Sequence, residues 1–158
     1  MSTKYFVAAL TLVMLSGSHA TAGQTAATTT GAAANRIVGL WITDALVGPC
    51  GGTPTTPVRN YLLFHAGGTL IENIPPNTVR NQGMGTWSYE GATREHRLFL
   101  RFDRFNNGVY AGYSTVERRL NMSADGLEMS GEVLALGFAP DGTQVLELCG
   151  EATSTRVQ

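Results

Sequence analysis

The run Glu95–Phe105, EHRLFLRFDRF, puts Leu98, Leu100 and Phe102 on one side of an extended chain. Arg97, Phe99, Arg101 and Asp103 fall on the other side. An apolar side chain at every second position is the period of a half-buried β-strand, not of a helix. Asn106-Asn107-Gly108 follows at once and supplies turn chemistry. A second long run, Val109–Met122, starts beyond it. This hairpin sets the reading of the chain from Arg36 onward.

Further predicted strands lie on both sides of the hairpin, at Arg36–Ile42, Val58–Ala66, Thr69–Ile74, Met84–Tyr89, Leu127–Ala139 and Thr143–Arg156. Gly67-Gly68, Gly91-Ala92-Thr93, Ala124-Asp125-Gly126 and Pro140-Asp141-Gly142 turn the chain between neighbours. Two connections are longer, Gly48–Pro57 and Pro75–Gln82. The second is either a lid at one mouth or a plain surface loop. Eight strands in a meander, some about fourteen residues long, suit a sheet closed on itself, which removes exposed edges. The predicted fold is all-β, an eight-stranded antiparallel up-and-down barrel. In the seventh strand Glu128 and Glu132 share parity with Leu134, Leu136 and Phe138, so a β-bulge is expected near Gly131 or Gly137.

The chain has 158 residues, and its start reads as a secretory signal peptide over residues 1–22. Lys4 gives a short basic region, Tyr5–Leu15 an apolar run, and Ala20-Thr21-Ala22 the small residues of a cleavage site. That run is too short to cross a bilayer, which takes about 20 residues. Residues 23–35 are low in complexity and uncharged, a flexible lead. Residues 36–158 form the β-domain. An exported protein is expected, secreted or periplasmic, with no membrane span once the leader is removed.

Without residues 1–22 there are ten arginines, no lysine and twelve acidic residues, a net charge near −2. That balance carries no basic footprint for nucleic acid. The absence of lysine excludes a lysine Schiff base, a Ser-Lys dyad and a P-loop. There is no Gly-x-Ser-x-Gly elbow. His65 and His96 sit on different strands without a helical partner, so no metal site and no cofactor is expected. Cys50 and Cys149 are the only cysteines. Export favours a disulfide between them, against unlinked buried thiols. The bond would close a loop of about 100 residues, worth up to ~4–5 kcal/mol in the chain-entropy model.

Gly39-Leu40-Trp41 opens the first strand, and Arg156 ends the last. With the eight-stranded meander, these residues resemble the lipocalin-like (calycin) barrels over Arg36–Arg156. The resemblance implies that Trp41 closes the barrel floor and that Arg156 packs across it in a cation–π contact. The motif is short, and Gly85-Thr86-Trp87 repeats it. Neither the family's other usual signatures nor the helix that normally follows the last strand is present. A weaker resemblance is to the allene oxide cyclase-like barrels, also eight-stranded.

Tyr61, Phe64, Trp87, Tyr89, Phe99, Tyr110, Tyr113 and Phe138 are the candidate ligand-binding residues; as apolar lining they could surround a cavity or fill it. Arg97, Arg101, Asp103 and Glu117 are the catalytic candidates if their face points inward. If it points outward, their charges are solvated and Leu98, Leu100 and Phe102 fill the interior. The leading functional expectation is reversible binding of a small apolar or amphipathic molecule. Two alternatives stay open. One is a barrel-type cyclase or isomerase acting on a small lipophilic substrate. The other is a secreted inhibitor or protein-binding module using one of the long loops.

Overall fold

The computed structural model describes residues 31–75 and 79–158. Eight strands form a closed antiparallel barrel in sequence order. They are β1 (Gly39–Pro49), β2 (Thr56–Phe64), β3 (Thr69–Asn73), β4 (Gly83–Glu90), β5 (Glu95–Asn106), β6 (Val109–Met122), β7 (Glu128–Phe138) and β8 (Gln144–Arg156). Closure comes from β1, which pairs with β2 on one side and β8 on the other, from Trp41↔Arg156 to Pro49↔Leu148. The architecture is consistent with a calycin-like fold.

The period-two reading of β5 holds. Leu98 and Leu100 are buried in the lumen, while Arg97, Phe99 and Arg101 are exposed outside. Both ends of β1 differ from the expected Arg36–Ile42, and it starts at Gly39. β1 runs on through Asp44-Ala45-Leu46-Val47, because Ala45 and Val47 continue the buried parity of Trp41 and Thr43. A register shift falls at Gly137/Phe138, one of the two expected places. It does not bring Leu134 and Leu136 inside, however. Val133 and Ala135 face the core, so these two leucines lie on the outer face.

The floor end is packed solid. Trp41, Leu62, Phe64, Leu70, Leu120 and Met129 are all at most 1% exposed. The Arg156 guanidinium lies 4.4 Å from the Trp41 ring centroid. It also donates to the carbonyls of Gly126 (3.0 Å) and Val38 (2.9 Å) and to that of Arg36. One side chain thus ties together the start of β1, the β6–β7 turn and the end of β8. The Trp41 indole N–H donates to Ile37 O at 2.8 Å.

The expected lead reaches into the described residues only at its end. Gly31–Asn35 is a one-turn helix, α1, with Ala34 fully buried. Those five residues are the end of the expected lead, residues 23–35. Ala34 and Ile37 gain apolar burial by plugging the floor, which the low-complexity composition does not reveal. The leader, residues 1–22, lies outside the described residues. Among the described residues, no helix is long and apolar enough to cross a membrane.

Cys50 and Cys149 form a disulfide with Cα atoms 4.8 Å apart. It fastens the loop after β1 to β8, and Thr55 N donates to Val47 O at 3.1 Å to fold that loop back. Asp125 and Asp141 stabilise their turns. The carboxylate of Asp125 accepts from Ser123 Oγ and Leu127 N, and that of Asp141 from Thr143 N. These bonds hold both carboxyls below the usual carboxylate range.

His96 is buried at the floor rather than lying at the surface. Its ring packs 4.9 Å from Tyr89 and 6.2 Å from Trp87, and Nε2 sits 3.3 Å from Ala34 O. Nδ1 has no partner. Burial pushes the imidazole below its ordinary range; the Ala34 carbonyl opposes this and the Arg36 charge adds to it. The folded state therefore favours neutral His96, and the unfolded chain takes the proton first as pH falls. Stability from this site is complete above about pH 6.5, the unfolded value, and is lost as pH drops below it. Denaturant midpoints between pH 7.5 and 5 should fall for the wild type, and His96→Gln should flatten the profile. An equal slope in both proteins would show that His96 is not the titrating group.

Candidate functional site

The mouth half of the lumen is polar. Its centre is Glu72 on β3, 2% exposed and on the same face as Leu70. Glu72 Oε1 accepts from Asn60 Nδ2 at 2.5 Å, and Oε2 from Arg80 Nη2 at 2.5 Å. Arg118 Nη2 on β6 lies 3.6 Å from Oε1. Gly83, opposite Glu72 in the β3–β4 register, leaves room for this carboxylate, since a Cβ there would sit 2.8 Å from Oε2.

Arg80 reaches the lumen because the end of its loop pairs with the end of β5. Arg80 bridges Arg104, and Phe105 N donates to Val79 O at 2.7 Å. The Arg80 guanidinium then stacks 3.7 Å from the Phe102 ring centroid. Arg104 Nη2 donates to Phe138 O at 2.7 Å. Three guanidinium groups therefore share this region with one carboxylate, and its formal charge is positive.

Arg118 is 4% exposed. Its Nε and Nη1 have no hydrogen-bond partner among the described residues, nor do Asn60 Oδ1 and Arg104 Nε. Burial pushes the Arg118 pKa down; Glu72 opposes that push and Arg80 reinforces it. The ordinary guanidinium value is so high that the charge remains. A buried cation with unused donors is costly to leave as it stands. Chemically, such donors are suited to a hydrogen-bond-accepting or anionic group.

The residues named from sequence divide between the two faces. Phe64 and Trp87 are buried in the lumen, and half-buried Tyr89 lines its floor against His96. Trp87 Nε1 donates to His65 O at 3.0 Å. Tyr61 and Phe99 are exposed on the outside, alternating with buried neighbours, and Tyr110 is exposed against Phe105. Tyr113 and Phe138 stack on each other at 4.8 Å, with Arg101 3.8 Å above Tyr113. Arg97, Arg101 and Glu117 are exposed, and Asp103 bonds Asn81 at the edge of the mouth. The inward orientation required of these four catalytic candidates is not met, because their strands turn Leu98, Leu100, Val116 and Arg118 to the inside. Among the described residues, no group of three or more His, Cys, Asp or Glu is placed to hold a metal ion.

Sequence reasoning missed Asn60, Glu72, Arg80, Arg104 and Arg118. A signal existed for two of them. Arg118 lies two residues from both Val116 and Leu120, and Glu72 two residues from Leu70, so each shares an apolar face. No protein-family model matches the chain, and no curated protein matches it.

The cluster predicts asymmetric mutational costs. Glu72→Leu would strand Arg80 and Arg118 without their carboxylate and should destabilise by about 3–5 kcal/mol. Arg118→Met leaves the Glu72–Arg80 pair intact and removes a buried, under-bonded charge. It should be neutral or stabilising by about 1–3 kcal/mol. Urea midpoints of the two variants check this; equal losses would show that Arg118 is fully compensated in the native protein.

Proposed function

We propose that this protein is an exported, calycin-type barrel that reversibly binds a small amphipathic molecule carrying an anionic head. The head would lie against Arg118, whose unpartnered Nε and Nη1 are the observation that carries the reading. Asn60, with a free carbonyl oxygen, and Arg80 on Phe102 flank the same place. Leu148 and Ala135, partly buried beside the core, offer apolar contact toward the mouth. A short molecule suits this half of the lumen better than a long chain, because the floor half is filled by side chains.

The chemistry favours a carboxylate or similar anion. Charge-assisted bonds to a guanidinium are stronger than neutral ones, contributing about 1.5–3 kcal/mol each. Fold-level likeness alone gives no ligand. The case therefore rests on the excess of arginine over carboxylate inside the barrel. Kinship with the lipocalins belongs to the same proposal, and so does export. The Gly39-Leu40-Trp41 opening and the Arg156–Trp41 contact support the kinship. The disulfide supports an oxidising compartment.

Native mass spectrometry of the oxidised protein, purified gently from periplasm or medium, tests the reading. One acidic small molecule per chain, released on denaturation, is the expected result. Arg118→Met should lose that adduct while staying folded. A bare wild-type protein that also fails to take up octanoate would overturn the reading.

A further inference from the structure

The outer wall of the barrel is not uniform. From β5 to β8 a row across it reads Arg97, Arg119, Glu132, Glu151, a charged and solvated surface. From β1 to β4 it is apolar. Val157 N, just past the end of β8, donates to Leu40 O at 2.9 Å. The row that starts there continues in register through Leu63 and Ile71 to Met84. Leu40, Leu63 and Ile71 alternate with buried Trp41, Leu62 and Leu70 and so point outward. In the next row Ile42 stands opposite Tyr61.

The sequence of these strands marks the same face. A strand with one face in water alternates apolar with polar residues, whereas a strand covered on both faces reads as a continuous apolar run. β5 alternates, with Arg97 and Arg101 set between its inward leucines. Leu40-Trp41-Ile42 and Tyr61-Leu62-Leu63-Phe64 do not. The lumen accounts for Trp41, Leu62 and Phe64, and it leaves the residues between them without cover. Leu40, Tyr61, Leu63, Met84 and Val157 are 38–64% exposed.

The size and charge of the face select its occupant. A fully exposed large side chain presents ~150–200 Å², so the face offers on the order of 400 Å² of apolar surface. A stable interface takes about 800 Å² from each partner, and in homodimers roughly 65% of that is apolar, about 500 Å². The face thus matches the apolar centre of a dimer interface. Asp44, opposite Arg59 and paired with it at 3.5 Å, supplies a polar rim on the mouth side. A lipid surface takes apolar side chains with free cations beside them. Here the bordering cations are already engaged, Arg59 by Asp44 and Arg101 on the Tyr113 ring. A second copy brings the same uncharged face, so the two meet without like-charge repulsion.

We infer that the outer face of β1–β4 is the interface of a two-fold homodimer, with Leu63 near its centre and the two barrel walls packed face to face. In such an interface the same patch serves both copies, so one substitution acts twice. The area lies at the lower end for a stable complex, and the dimer dissociates in the micromolar range.

Sedimentation velocity of the oxidised protein, purified from periplasm or medium and run over a micromolar dilution series, tests this. A monomer–dimer equilibrium is the expected result. Leu63→Glu should raise the dissociation constant at least about a hundredfold, since each dimer would bury two unpaired carboxylates. Phe99→Glu, on the charged wall, should leave the equilibrium unchanged. A measurement on the wild type keeps the test decisive if a variant fails to fold. The Met84 methyl resonance should shift on dilution while that of buried Met129 stays still. A wild type that remains monomeric at millimolar concentration would overturn the inference. So would a dimer that survives Leu63→Glu, or a Met84 methyl that ignores dilution. A monomer that sediments with phosphatidylcholine vesicles would overturn it too, and would assign the face to a lipid surface.

Discussion

Closure of the sheet through β1 is the constraint on which the rest depends. β1 pairs along nine positions with β2 and nine with β8, so the sheet closes on itself. Alternation then has only one inside, and every second residue of eight strands must fill it or line it. The Arg156–Trp41 contact fixes this closure at the floor, and the Cys50–Cys149 bond lies near its other end, where Gly48 pairs with Cys149. Between these fasteners the register is set, and with it the inward placing of Glu72 and Arg118.

The inner face of the wall carries an electrostatic arrangement that stability alone would not select. Outside, the row Arg97, Arg119, Glu132, Glu151 crosses four neighbouring strands, and Arg119 stands directly opposite Glu132, so its charges balance. Inside, one carboxylate serves Arg80 and Arg118, and two Arg118 nitrogens have no acceptor among the described residues. Local conflicts of this kind concentrate at functional sites, where a ligand supplies what the chain omits. The apolar floor supplies the stability against which such conflicts can be set. Its large side chains are nearly all excluded from water, each burial contributing about 1.5–3 kcal/mol.

Much of the fold was legible because period two and turn residues are local signals. Val109–Met122 was read with its exact ends, and most other strands to within two residues. β1 extends beyond its sequence expectation because Ala45 and Val47 keep the buried parity of Trp41 and Thr43 right up to the turn residues Gly48-Pro49. Sites were harder, since they depend on which face a strand turns inward. Phe99 and Leu98 are adjacent and both apolar, and only closure shows that Leu98 is the one inside. Aromatic residues attracted the binding assignment, yet Tyr61, Phe99 and Tyr113 belong to the outer surface. The charged residues inside were passed over because buried charge is rare. Arg80 could not have been found at all, because it enters through loop pairing with β5. The plug formed by Ala34 and Ile37 was equally hidden, since alanine-rich sequence carries little sign of its partner.

Arg118 is a buried cation whose Nε and Nη1 have no acceptor among the described residues. The most direct measurement is the ¹H–¹⁵N spectrum of the arginine side chains during titration with octanoate. The expected result is a protected Arg118 Nε–H resonance that moves as ligand is added, while those of exposed Arg97 and Arg101 stay still. An Arg118 resonance that does not respond at saturating octanoate would contradict it.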